Sequence, residues 1–132
     1  MRAILDSGPL IALWNAEPDH LAWVEGVFKR FGGPYYVTEP VLTEVAHLTG
    51  RDKLIVEALK SRKFLVPEGL LEQLDDIDRS LQKFPHCDLA DASVIALSER
   101  YRRLSVISLD RRHLITYRRA DGTAVPLVLP GA

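Results

Sequence analysis

Short apolar or β-branched runs recur along the chain, separated by stretches in which apolar residues have helical spacing. The runs cover residues 3–5, 35–38, 64–66, 104–109 and 127–129. Runs of this length and composition are typical of buried strands. Their alternation with helices predicts an α/β fold, a sandwich of helices on both faces of a central, mostly parallel sheet of about five strands.

The spacing of apolar residues between these runs predicts five helices. One is marked by Leu21, Val24, Phe28 and Phe31, and the next by Val41, Val45 and Leu48. The other three are predicted over residues 53–60, 70–84 and 89–101. Helix stops are indicated by Gly32, Gly50, Pro67 and Pro85. In the tail, Asp121-Gly122 indicates a turn, and Pro126 fits the start of an edge strand.

Length and composition narrow the class of protein. The chain has 132 residues, 47% of them hydrophobic, which predicts a single domain over residues 1–132. With 17 basic and 18 acidic residues, a polyanion would have to be bound by a local patch. The single cysteine excludes an internal disulfide, and no apolar run reaches the ~20 residues that cross a bilayer. We therefore expect a cytoplasmic protein without a membrane partner.

Two acidic residues follow predicted strands. Asp6 comes directly after the first apolar run, and Asp110 directly after the run 104–109. Both should lie at the carboxyl ends of their strands, the edge at which open parallel α/β sheets bind ligands.

Three further acids are predicted to reach the same edge. Glu44 lies on a helix that leaves the second strand, among apolar neighbours, where an unpaired charge is unfavourable. Asp88 and Asp91 are three residues apart at a helix start, so they share one face. That helix must run back against the strand that ends before Asp110, which brings its start to this edge.

Clustered carboxylates repel one another unless a cation neutralises them. Mg²⁺ or Mn²⁺ fits best, because hard ions prefer oxygen ligands and bind few carboxylates together with substrate phosphates. Zinc fits poorly, because Cys87 and the histidines lack a ligand spacing. Two such ions can promote in-line phosphoryl displacement, so the predicted chemistry is phosphodiester hydrolysis.

Each acid also has a purely structural interpretation. Asp6 before Ser7-Gly8-Pro9 could cap a helix, and Asp88 and Asp91 suit the positive end of another. Asp110 could begin a turn. Glu44 has the weakest structural explanation. Nearby Glu39 could be the site acid in its place, although its position at a helix start favours an ordinary first-turn acid.

The other polar residues near the acids are weaker evidence for a functional site. Arginines are frequent in the last third of the chain and could bind phosphates or simply form exposed or paired faces: Arg100, Arg102, Arg103, Arg111, Arg112, Arg118 and Arg119. His86 and Cys87 lie beside Asp88, but a lone histidine and a free cysteine are usually structural, so neither is assigned a role.

Four segments, taken in order and spacing, resemble PIN domains, and specifically the VapC-type ribonuclease toxins of VapBC toxin–antitoxin pairs. They are ILDSGPL at 4–10, VTEPVLTEV at 37–45, DLADAS at 88–93 and ISLDRRH at 107–113. The resemblance implies a single PIN domain whose four catalytic and metal-binding acids are Asp6, Glu44, Asp91 and Asp110, with Asp88 at most an accessory ligand. It also implies Mg²⁺ or Mn²⁺ dependence, an RNA substrate, a homodimer and a cognate VapB-type antitoxin.

Three other functions fit less well. A receiver domain needs an aspartate after the third strand, where this chain has Val66-Pro67-Glu68. A haloacid-dehalogenase-type phosphatase needs Asp-x-Asp where it has Asp6-Ser7-Gly8. The main alternative is a PIN-like scaffold that binds RNA or protein without nuclease activity, because catalysis depends on fine geometry.

Overall fold

The computed structural model of the chain describes residues 2–131 and contains a five-stranded sheet in which every pair of neighbouring strands is parallel. The strands are β1 (Ala3–Leu5), β2 (Tyr35–Tyr36), β3 (Phe64–Leu65), β4 (Val106–Ile107) and β5 (Leu127–Val128). Their spatial order is β3-β2-β1-β4-β5. The α/β prediction is confirmed, and the sheet is wholly rather than mostly parallel.

The strand order places a topological switch point between β1 and β4. The chain moves outward from β1 to β2 and β3, then returns to the other side of β1 to form β4 and β5. The connections that follow β1 and β4 therefore run to opposite sides. In α/β sheets such a switch point generally opens a crevice at the carboxyl ends of the strands. Asp6 follows β1, and Asp110 lies three residues beyond β4.

Within the described residues, six α-helices flank the sheet: α1 (Ser7–Trp14), α2 (Leu21–Phe31), α3 (Glu39–Thr49), α4 (Asp52–Lys60), α5 (Leu74–Lys83) and α6 (Leu89–Arg100). The five predicted helices are confirmed within a few residues, except that a 3₁₀ turn over Leu71–Gln73 precedes α5. Helix α1 is the additional one, and it begins where the capping interpretation of Asp6 placed it. Gly32 and Gly50 end α2 and α3 with positive φ values of 72° and 68°, as predicted.

Two details differ from the sequence-based prediction. Leu48 is 52% exposed, so the apolar face of α3 is buried only over its earlier turns, at Val41, Leu42 and Val45. The β4 strand is also shorter than the apolar run 104–109. The N–H of Ser108 still donates to the carbonyl of Val128 in β5, and beyond Ser108 the chain leaves the sheet. The released segment forms the loop that carries Asp110.

A glycine allows the first helix to approach this loop closely. A Cβ at Gly8 would lie 3.3 Å from Cβ of Leu109, so a larger side chain would press on the residue before Asp110. The core beneath is built from fully buried strand residues, among them Ile4, Leu5 and Ile107. No helix within residues 2–131 is long and apolar enough to cross a bilayer.

Candidate active site

Asp6 lies at the centre of the site and is almost completely buried. Its side chain is 6% exposed and caps α1, accepting a hydrogen bond from the N–H of Ser7 at 2.9 Å. The hydroxyl of Ser108 donates to its other oxygen at 2.7 Å. Burial raises the pKa of Asp6 from 3.8 to about 6, although both hydrogen bonds favour the charged form. Asp6 is therefore both a helix cap and a strongly perturbed carboxylate.

Asp91 is the second perturbed carboxylate. It is half-buried in the first turn of α6, and its Oδ2 accepts a hydrogen bond from the hydroxyl of Tyr117 at 3.1 Å. Burial, followed by repulsion from Asp88 and Asp6, raises the pKa of Asp91 to about 7. Asp6 thus lies close enough to Asp91 to destabilise the charged form of Asp91.

The remaining predicted acids surround this pair. The negative charges of Asp110 and Glu44 both raise the pKa of Asp6. Asp88 is exposed and caps α6, with Oδ1 accepting from the N–H of Asp91 at 2.8 Å. The structure thus places all five acids in one electrostatic network centred on Asp6 and Asp91.

Asp110 is held by the loop it begins. Its Oδ1 accepts hydrogen bonds from the N–H groups of Arg112 and His113, at 3.1 and 2.9 Å. Its own N–H donates to Oγ of Ser108, the same hydroxyl that donates to Asp6. Ser108 therefore fixes the spacing between Asp6 and Asp110.

No basic side chain neutralises this network. Among residues 2–131, none of the five acids forms a salt bridge with lysine, arginine or histidine. Within the same range, no group of three or more His, Cys, Asp or Glu side chains is arranged closely enough to hold a metal ion. An open group of oxygen donors with excess negative charge is the kind that Mg²⁺ uses, because this ion keeps several waters and takes ligands from its substrate.

Buried polar contacts fix α3 relative to α6, and so Glu44 relative to Asp91. Thr38, the cap of α3, makes a 2.7 Å hydrogen bond to Ser93 of α6, and both residues are fully buried. The side-chain amide of Gln73 donates to the carbonyl of Ser93 at 3.1 Å. The first bond joins α3 to α6, and the second joins the 3₁₀ turn over Leu71–Gln73 to α6.

Glu39 has a structural role that separates it from Glu44. It is exposed in the first turn of α3, and its Oε1 accepts the N–H of Leu70 at 2.7 Å. Glu44 is half-buried, its side chain makes no hydrogen bond within the described part of the chain, and its charge acts on Asp6. The geometry favours Glu44 as the site residue.

Cys87 and His86 remain without a catalytic role. Burial, followed by repulsion from Asp91 and Asp88, raises the pKa of the Cys87 thiol to about 12, so the thiolate is unavailable at neutral pH. The imidazole of His86 stacks on that of His113, with ring centroids 5.4 Å apart.

Most of the arginines in the last third of the chain serve the fold. Arg119 is buried and donates to the carbonyls of Ser98 and Arg102, Arg100 pairs with Glu68, and other arginines bond to backbone carbonyls or to acids. Of the seven, Arg103 and Arg112 have side chains free of such bonds within residues 2–131, and both are exposed. Arg112, two residues after Asp110, is the better placed to meet a phosphate.

Two site residues were not found by sequence reasoning. Ser108 had a signal, since it is a polar residue in a buried run two positions before Asp110. Tyr117 had none, because it lies in the tail, where no periodicity indicates which side chains face the site.

Comparison with known proteins gives one match over nearly the whole chain. No family model matches the chain. Over 136 aligned positions, however, it is 27% identical to ribonuclease VapC26 of Mycobacterium tuberculosis. The alignment covers 93% of this chain and 99% of that protein. Similarity across almost the full length of both proteins supports a relationship to the VapC-type family.

Proposed function

We propose that this protein is a metal-dependent ribonuclease of the VapC type, a single PIN domain acting as the toxin of a type II toxin–antitoxin pair. The observation that carries the proposal is the pair of Asp6 and Asp91. Both carboxylates have raised pKa values at the switch point of the sheet, and neither has a cationic partner within residues 2–131. We infer that a bound cation balances their negative charge.

In this proposal Asp6 and Asp91 are the principal ligands of Mg²⁺ or Mn²⁺. Glu44 and Asp110 complete the acidic set, directly or through water, and Asp88 contributes mainly charge because its Oδ1 caps α6. When bound, the cation neutralises the carboxylates and stabilises charge on the phosphodiester and on the leaving oxygen.

The residues around the pair can orient and deprotonate a water. Asp110 uses Oδ1 for two backbone N–H groups, which leaves Oδ2 as a proton acceptor. The carboxylate of Glu44 has no hydrogen-bond partner within the described residues. As a water oxygen bonds to phosphorus, one of these carboxylates takes its proton, the opposite P–O bond breaks, and the leaving oxygen is protonated from solvent. Asp6, Glu44, Asp91 and Asp110 are the proposed catalytic set.

The proposed substrate rests on the name of the relative and on a cleft beside the acids. A cleft between α3 and α6 leads away from Glu44 and Asp88 along Thr43, His47 and Leu89. An extended strand with phosphates at the acids and Arg112 could occupy it. The relative is named a ribonuclease, which favours RNA. We further propose that the protein is a cytoplasmic homodimer and binds a VapB-type antitoxin, as its resemblance to VapC-type toxins implies.

Purified protein should degrade RNA in millimolar Mg²⁺ or Mn²⁺. We expect excess chelator to remove the activity and added Mn²⁺ to restore it, because the proposed chemistry has no other source of positive charge at the acids. The assay uses several structured and single-stranded RNAs, followed on denaturing gels. Cleavage that persists in chelator would refute metal dependence, whereas RNA binding without cleavage in either ion would favour the scaffold alternative.

A further inference from the structure

Tyr117 contacts Asp91 from a buried position outside the four acids. Its hydroxyl donates to Oδ2 of Asp91 at 3.1 Å, and the residue is only 2% exposed. The aromatic ring packs on Phe84, with centroids 5.0 Å apart. A side chain so enclosed offers no surface to a large substrate, so its effect on the site has to pass through Asp91.

Tyr117 supplies the side-chain hydrogen bond that orients Asp91. Within residues 2–131 its hydroxyl is the one side-chain donor to this carboxylate, on Oδ2, and the backbone of Asp88 adds a further hydrogen bond. Asp6 is held in a comparable way, by the N–H of Ser7 on one oxygen and by the hydroxyl of Ser108 on the other. The orientation of Asp91 therefore depends on Tyr117 as that of Asp6 depends on Ser108.

The surroundings of Tyr117 confine its hydroxyl, which as a phenol O–H can donate a hydrogen bond to a carboxylate. The ring is confined by Phe84, and the backbone carbonyl of Tyr117 accepts a 2.9 Å hydrogen bond from Arg118. A confined donor restricts the rotation of the carboxylate it holds.

We propose that Tyr117 is a positioning residue for the metal site, which holds Oδ2 of Asp91 and so fixes the orientation in which this carboxylate meets the divalent cation. This inference rests on the proposed function, since it assumes that Asp91 is a ligand. It adds a residue from the tail of the chain to a site otherwise built from the sheet edge, α3 and α6. Groups that orient metal ligands in this way typically change metal affinity by about 10–100-fold.

The test is Tyr117→Phe, which keeps the ring packing and removes only the hydroxyl. We expect Mn²⁺ to bind at least about 10-fold more weakly, measured by calorimetry and by water-proton relaxation on the RNA-free protein. The matched control is Tyr35→Phe, which removes a hydroxyl that donates to the carbonyl of Phe28 at 3.0 Å in another part of the fold. It should lose comparable stability and keep the wild-type affinity.

A second variant separates the hydrogen bond from the packing. Phe84→Leu loosens the ring contact and keeps the hydroxyl, so its Mn²⁺ affinity should fall by less than that of Tyr117→Phe. If the wild-type protein binds no Mn²⁺, the proposed function itself fails. If the wild type binds Mn²⁺ and Tyr117→Phe binds it equally well, or if Phe84→Leu weakens binding as much as Tyr117→Phe does, the positioning role is refuted while the proposed function stands.

Discussion

Replacing either central carboxylate, as Asp6→Asn or Asp91→Asn, is expected to reduce RNA cleavage by at least about 100-fold. Loss of a group that only orients a metal ligand lowers affinity or activity about 10–100-fold, and loss of a ligand should exceed that. An asparagine keeps the size of the side chain but removes the charge that attracts the cation. Initial rates on one RNA, at saturating Mn²⁺, measure the effect.

The control for this prediction is Asp19→Asn. Asp19 is exposed and makes no hydrogen bond or ion pair within the described residues, so its replacement removes the same charge away from the site. We expect wild-type cleavage from this variant and native circular dichroism from all three. Wild-type rates from both Asp6→Asn and Asp91→Asn would exclude the two carboxylates from the reaction.

Asp6→Asn is also expected to stabilise the metal-free protein at pH 8 and to lose this advantage at pH 4. Folding raises the pKa of Asp6 from 3.8 to about 6, so the ionised carboxylate opposes folding above pH 6. The opposition fades as pH falls from 6 towards 4, because the folded protein then binds the proton first. At full ionisation it amounts to about 3 kcal/mol.

The net gain in the variant should be smaller, about 1–2 kcal/mol at pH 8. An amide at position 6 disturbs the hydrogen bond from Ser108, which costs about 1 kcal/mol. Urea unfolding at both pH values, in chelator, gives the comparison, and Asp19→Asn should stay within about 0.5 kcal/mol of the wild type throughout. Added Mn²⁺ should reverse the order at pH 8 by stabilising the wild type alone. A variant less stable than the wild type at pH 8 in chelator would contradict the strained-carboxylate account.

The sequence predicted the fold well because its signals are local. Apolar runs marked the strands, and Gly32 and Gly50 marked helix ends through the left-handed conformation that glycine adopts easily. Prediction was weaker where tertiary packing decides. Leu48 follows the periodicity of α3 yet is exposed, because a repeat of apolar residues does not reveal where the neighbouring elements end.

The clustering of the acids could be predicted because parallel topology brings strand ends and helix starts to one edge. Capping also proved compatible with membership of this cluster, since Asp6 caps α1 with one oxygen and remains close to the other acids. Ser108 and Tyr117 could not be predicted in the same way, because their roles depend on individual side-chain contacts. The arginines of the last third of the chain suggested a phosphate-binding patch, but most of them make hydrogen bonds or ion pairs within the fold, as Arg119 does.

The central claim is that Asp6 and Asp91 together bind a divalent cation, and a crystal soaked in Mn²⁺ tests it most directly. Anomalous diffraction would locate the ion without reference to activity. The account predicts a peak within about 2.0–2.6 Å of an oxygen of Asp6 and of an oxygen of Asp91, the range of hard-cation ligand distances. A well-ordered site without a peak at saturating Mn²⁺, or a peak only at the stacked imidazoles of His86 and His113, would contradict it.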